Sequence, residues 1–187
     1  MKVIPLFKNE KKLIARAAEK NRRAQQELYK KHSGKMLAVC RRYIKDLQQA
    51  EEVMLNGFYK VFTHLENFKN EGSFEGWVRR IMVRECISYL RSKKKMEFGL
   101  EEIEKFPENF TDLETSFEVE HIQQLIDDLP EGYKMVFVLY AIEGYKHKEI
   151  AKMLNIETGT SKSQLYKARQ LLQAQLKNQK TTAYVTT

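Results

Sequence analysis

Few residues in this chain are able to break a helix. Only 3 prolines and 8 glycines occur in 187 residues. Between them, apolar residues recur at three- and four-residue spacing, which lines one face of a 3.6-residue helix. Long β-branched alternations, the mark of strands, are absent. The expectation is an all-α fold, with helices near residues 10–30, 33–46, 48–65, 73–94, 117–128, 131–142, 146–154 and 160–177. The segment EFGLEEIEKFPENFTDLE, residues 97–114, interrupts the pattern with Gly99 and Pro107 and reads as a linker. The ending KTTAYVTT reads as a frayed tail.

Charge divides the chain in the same places. Residues 1–95 carry a net +13, residues 96–128 a net −10 and residues 129–187 a net +5, for +8 in all. A basic block, an acidic connector and a second basic block point to a polyanionic partner for the two ends. The blander reading, that each run is a solvated face, fits any single run but not the alternation. No apolar run reaches the length of a membrane span. The opening MKVIPLFKNEKK holds no long apolar stretch of a signal peptide, and a cytoplasmic protein is expected. Cys40 and Cys86 form no local pair motif and read as small buried hydrophobes in a reducing compartment.

In the first block, a helix from Phe74 places Val78, Ile81, Met82 and Tyr89 on one stripe and Arg80, Arg84 and Arg91 on another face. Three guanidinium forks in a row suit phosphates. The loop before this helix carries Asn70 and Gly72 between Phe68, Phe74 and Trp77. Aromatics beside cations hold unstacked bases, although each aromatic alone reads more readily as a core anchor.

In the second block, Pro130 opens a helix where a missing N–H is harmless, with Val136, Phe137, Leu139 and Tyr140 packing it and Gly144 ending it. KHKEIAKMLN follows, closed by Asn155. Thr158 or Thr160 is placed to cap the next helix. In that helix Ser161, Leu165, Ala168, Leu172 and Leu176 share one face. Ser163, Tyr166, Lys167 and Gln170 lie opposite, with Lys162 and Arg169 beside them. A narrow apolar face opposite a face of hydrogen-bonding and cationic groups is how a helix reads the DNA major groove. The short turn between the two helices is the helix-turn-helix pattern. A generic helical hairpin has the same outline.

These residues carry a resemblance over nearly the whole chain. It resembles the extracytoplasmic-function (ECF) class of bacterial RNA polymerase sigma factors. DLQQAEEVMLNGFYKVFTHLENF, residues 46–68, is similar to the helix that grips core polymerase. SFEGWVRRIMVRECISYLR, residues 73–91, is similar to the element that reads and melts the promoter −10 region. LPEGYKMVFVLYAIEGYKHKEIAKMLNIETGTSKSQLYKARQLL, residues 129–172, is similar to the −35 reader. The resemblance implies a polymerase-binding and −10 domain over 1–95, an acidic linker over 96–116, a −35 helix-turn-helix domain over 117–178 and a tail over 179–187. It implies −35 contacts from Thr160, Lys162, Ser163, Gln164, Tyr166, Lys167 and Arg169. It also implies −10 and melting roles for Phe68, Asn70, Phe74, Trp77, Arg80, Arg84 and Arg91. Core-polymerase contacts would come from Asp46, Glu51, Glu52, Asn56 and Phe58.

Its implied partners are core polymerase, duplex and single-stranded promoter DNA, and an anti-sigma factor, with no membrane insertion. The chain departs from the family at Leu55 and Asn56, where a Gln–acid pair is common, at Gly57 inside the same helix, and at Arg84, where an Asn is common. The alternative is a stand-alone helix-turn-helix regulator, which leaves the first block's arginines and aromatics unexplained. An enzyme is not expected: His32, His64, His121 and His147 are scattered, without metal-ligand spacing, and no phosphate loop or nucleophile motif is present. No cofactor is expected.

Overall fold

The structure, a computed structural model, describes the backbone of residues 6–93 and 119–185 and the side chains of 10–93 and 122–176. The expected linker, with Gly99 and Pro107, lies outside the described residues. Every regular element among those described is helical: α1 (Leu6–Ala18), α2 (Arg22–Tyr43), α3 (Leu47–Thr63), a 3₁₀ turn (Leu65–Asn67), α4 (Phe74–Lys93), α5 (Val119–Asp127), α6 (Glu131–Phe137), a π turn (Val138–Ile142), α7 (His147–Leu154) and α8 (Thr158–Val185). They form two compact units, Met1–Met96 and Glu97–Thr187.

In the first unit, the break between the opening helices differs from the expectation of helices over 10–30 and 33–46. The chain turns at Lys20, whose φ is 62°, and α2 then runs unbroken past Gly34 to Tyr43. The Asn21 side chain starts α2 by accepting from the Ala24 amide at 3.0 Å. Gly34 weakens the helix by about 1 kcal/mol, but Leu28, His32, Met36, Val39 and Cys40 bury a continuous stripe across it. Tertiary packing therefore outweighs propensity. Asp46 caps α3 by accepting from the Gln49 amide at 2.8 Å.

α3 packs closely on α4, and α2 lies against both. Gly57 permits that approach: a Cβ there would stand 2.3 Å from the Met82 sulfur. Met82 is fully buried, so a side chain at position 57 would force its thioether to repack within the core. The glycine's cost in helix propensity is the condition of the α3–α4 contact, not a sign of a weak helix. Cys40 and Cys86 are both buried and free.

His32 is the one buried histidine described in this unit, 3% exposed. Its Nε2 lies 3.2 Å from Glu10 Oε1, which also accepts from Lys31 Nζ at 2.7 Å. Burial pushes the imidazole below its ordinary 6.5, against the pull of Glu10. The folded state then binds fewer protons than the unfolded state as the pH drops through 6.5. His32's contribution is fully present above that value and is lost on acidification toward the lowered folded pKa. His32→Phe, which keeps the ring against Phe74, is expected to flatten this part of the stability profile, and urea titrations at a series of pH values would show it. An unchanged slope would place the titration elsewhere. Burial pushes Glu10 up, but Lys31 and His32 more than offset it, so its carboxyl stays below 4.5 and titrates in a separate, more acidic window.

In the second unit, α6, the π turn and α7 pack on α8 around Met135, Val136, Leu139, Ile150, Leu154, Leu165 and Ala168. The ion pair of Lys134 Nζ with Asp127 Oδ1 is internal, with side chains 6% and 2% exposed. It ties α6 to the end of α5.

Tyr140 does not pack in the core as its helical spacing predicts. The widened π turn, closed by the Glu143 amide on the Val138 carbonyl at 3.0 Å, carries Tyr140 to the surface at 36% exposure. Gly144, at φ 77°, ends that turn. α7 opens with the Lys146 amide donating to Glu149 at 2.7 Å. It closes at Asn155, whose φ of 56° and ψ of 49° are left-handed, a conformation asparagine tolerates. α8 begins at Thr158, so Thr160 lies inside the helix rather than capping it. α8 continues to Val185, with no glycine or proline after Gly159 to stop it.

Candidate nucleic-acid interface

α8 has two sharply different faces. Ser161, Leu165 and Ala168 are buried against α6 and α7. Lys162, Ser163, Tyr166 and Arg169 are exposed, and Thr160 and Lys167 are half-buried. The exposed side chains are braced. Gln170 Nε2 donates to the Tyr166 hydroxyl at 2.9 Å, and the Ser163 hydroxyl donates to the Thr160 carbonyl at 3.0 Å. Lys167 Nζ sits 5.9 Å from the Tyr133 ring centroid and Arg169 lies 5.8 Å from that of Tyr140. Cations over aromatic faces lose fewer rotamers when a phosphate arrives.

Gln164 is a correction. Its carboxamide packs against Gly132, where a Cβ would meet Nε2 at 3.2 Å, and its Oε1 is buried without a partner. The resemblance implies a −35 contact for Gln164, but its carboxamide turns toward α6.

The first unit offers a different surface. In the loop before α4, Lys69, Asn70, Glu71, Gly72 and Ser73 are exposed. Asn70 and Gly72 hold positive φ angles of 59° and 90°, which turn the chain sharply. Ser73 closes the loop by accepting from the Gly76 amide at 3.1 Å.

Beneath the loop, Phe74 stands edge-on to Phe68 at 5.3 Å and stacks with Trp77 at 5.9 Å. Phe68 and Phe74 are 8% and 3% exposed, so they support the loop from the core instead of presenting their faces to bases. Half-buried Trp77 is the aromatic of the three with surface to offer. Arg80, Arg84 and Arg91 are all exposed along one side of α4.

On α3, Asp46, Glu51, Glu52 and Asn56 are exposed. Phe58 is not: it is 3% exposed and edge-on to Tyr29 at 4.9 Å, a core residue rather than a contact for a partner. Two neighbours share this exposed face. Leu55 and Tyr59 are 53% and 72% exposed, and their spacing of four residues puts them beside Glu51 and Glu52. The signal was available in that spacing, outside the core stripe of Ala50, Val53, Met54 and Val61.

Two helical units, one with a braced cationic recognition helix and the other with an arginine row beside an aromatic-backed loop, define a DNA-binding transcription protein of the helix-turn-helix type. Comparisons narrow this. The family described as Sigma-70 region 2 matches residues 28–96, and Sigma-70, region 4 matches residues 120–172. The RNA polymerase sigma factor SigV of Bacillus subtilis is 28% identical over 134 residues, covering 72% of this chain and 80% of its own. The ECF RNA polymerase sigma factor SigW of the same organism is 28% identical over 161 residues, covering 79% and 86%. In fold, the chain is similar to the sigma factor RpoE of Bartonella quintana, solved with the anti-sigma factor NepR. That match has a TM-score of 0.54 at 18% identity and covers 81% of this chain and 96% of the other. The chain belongs to the sigma-70 family, in the ECF class of RNA polymerase sigma factors. It binds core RNA polymerase and promoter DNA and directs promoter-specific transcription initiation. Among the described residues, no helix is long and apolar enough to cross a membrane.

Proposed function

We propose a division of labour between the two units. The first, with its exposed α3 face of Glu51, Glu52, Leu55, Asn56 and Tyr59, docks on core polymerase. Its loop at 69–73, with Trp77, Arg80, Arg84 and Arg91, holds and opens the −10 element. The second unit lays Lys162, Ser163, Tyr166, Lys167 and Arg169 along the −35 major groove. The observation that carries this reading is the juxtaposition on α4: an exposed loop in left-handed turns, a half-exposed tryptophan beside it and three exposed arginines in line. The loop and Trp77 offer a stacking surface for an unpaired base, and the arginines hold its backbone.

The chain works in the cytoplasm, where the polymerase is, and an anti-sigma protein holds it inactive. Support for that partner is the fold shared with the sigma factor RpoE of Bartonella quintana, solved with the anti-sigma factor NepR.

Trp77→Ala tests the assignment. Holoenzyme carrying it is expected to bind promoter duplex nearly as well as wild type but to expose far fewer permanganate-reactive thymines at −10. Normal melting by a folded variant would remove Trp77 from the opening step.

A further inference from the structure

Tyr140 and His147 have no role in the division above, yet both stand beside its DNA-reading helix. The π turn brings Tyr140 to the surface, where its ring stacks on His147 with centroids 4.5 Å apart and planes 23° from parallel. His147 Nδ1 lies 2.9 Å from the Ser161 hydroxyl on the first turn of α8. That bond fixes the ring and leaves Nε2 for another partner. Arg169 lies over the same Tyr140 ring, 5.8 Å from its centroid. A tyrosine platform thus holds an imidazole and a guanidinium side by side at the edge of the exposed α8 face.

We propose that His147 is a further phosphate-contacting residue of this face, taking up a proton as duplex DNA docks, with Tyr140 as the platform that positions it. The proposal rests on the reading of α8 as the duplex-facing helix.

The groups around His147 set the direction of the effect. On its own helix, Lys146, Lys148 and Glu149 flank it. Tyr140 faces it from the π turn, and Ser161, Lys162 and Arg169 face it from α8. Burial pushes its pKa below the ordinary 6.5, and Lys162 and Arg169 push the same way. The ring is therefore neutral in the free protein near neutral pH. A phosphate arriving on this face neutralises the two cations and offers the imidazolium an anion, so both changes raise the pKa. One proton moves from solvent to the imidazole, and no bond in the DNA changes.

Phosphate contacts are independent of sequence, so a fluorescein-labelled duplex three helical turns long and of arbitrary sequence serves as probe for the full-length chain at low salt. Wild type is expected to tighten more than His147→Gln between about pH 8 and about pH 6, by roughly threefold to tenfold, which requires a pKa rise of about one unit or more, since one unit gives the full tenfold only well below both pKa values. Glutamine is able to keep the bond to Ser161, and a thermal melt checks that the variant folds. Independently, the His147 imidazole resonance titrated by NMR is expected to show a higher pKa with the duplex than without it. A His147→Gln profile that tracks wild type, or a His147 pKa that is unchanged or lowered by the duplex, overturns the proposal alone. Failure of wild type to bind the duplex, or binding unaffected by Lys162→Ala, overturns the reading of α8 and the proposal with it.

Discussion

Lys134→Met is expected to destabilise the second unit by about 3–5 kcal/mol, because it strands a buried carboxylate. Asp127 has a side chain only 2% exposed and takes its charge balance from the Lys134 ammonium. The Gln123 amide, 3.2 Å from the same carboxylate oxygen, donates one hydrogen bond but no charge. Remove the ammonium and the carboxylate loses the buried cation that ties it to α6, which loosens the α5–α6 junction. Asp127→Leu fails in the mirror sense by stranding the lysine.

The double variant Lys134→Met/Asp127→Leu removes both charges. It is expected to lose far less than the sum of the singles, since buried pairs roughly break even against apolar replacements. Urea unfolding followed by far-ultraviolet circular dichroism measures all three. Fluorescence of Trp77, the single tryptophan of the chain, reports the first unit separately. Additive losses in the double variant would show that the pair is not coupled.

Lys162→Ala and Tyr166→Ala are each expected to cost about 1–3 kcal/mol in binding to a cognate −35 duplex if they contact bases. The two differ in signature. Tyr166 has its hydroxyl fixed by Gln170 and its ring 39% exposed, so its loss should relax discrimination at one base step. Lys162 is a flexible exposed cation whose loss, if it touches phosphate, weakens all sequences alike and lowers the salt slope by about one. Binding isotherms on cognate and scrambled duplexes at several salt concentrations separate the two. Neither residue is in the buried set, so unfolding is not an expected side effect. Unchanged affinity in both variants would move the −35 contact off this face of α8.

How much of this was legible beforehand follows from which forces decide each feature. The all-α class and the helix-turn-helix were visible because period and punctuation are local: Asp46, Gly144 and Asn155 act on their immediate neighbours. The boundary between α1 and α2 was not. There a good cap at Asn21 competes with a poor helix residue at Gly34, and only the buried stripe from Leu28 to Cys40 decides.

The site residues divide in the same way. The exposure of Lys162, Ser163, Tyr166 and Arg169 follows from winding an ideal helix, which is what α8 is. Tyr140 was misplaced because the turn around it is a π turn, which a 3.6-residue period does not anticipate. Phe58 and Phe74 were assigned to partners by resemblance, and the structure buries them. Gln164 is set by Gly132, a contact 32 residues away in the chain. Gly57 looked like a weak point in α3 until Met82 was seen to fill the space its missing side chain leaves.

The central claim is that one chain supplies both promoter-reading surfaces to a polymerase that lacks them. Run-off transcription with purified core polymerase on a library of genomic promoter fragments tests it most directly. Core enzyme alone is expected to give no specific transcripts and the reconstituted holoenzyme to give transcripts from a small set of fragments. Those fragments should share two short motifs at a fixed spacing. Tight binding of the chain to duplex DNA with no association with core polymerase and no specific transcript would contradict it, and would favour a stand-alone regulator.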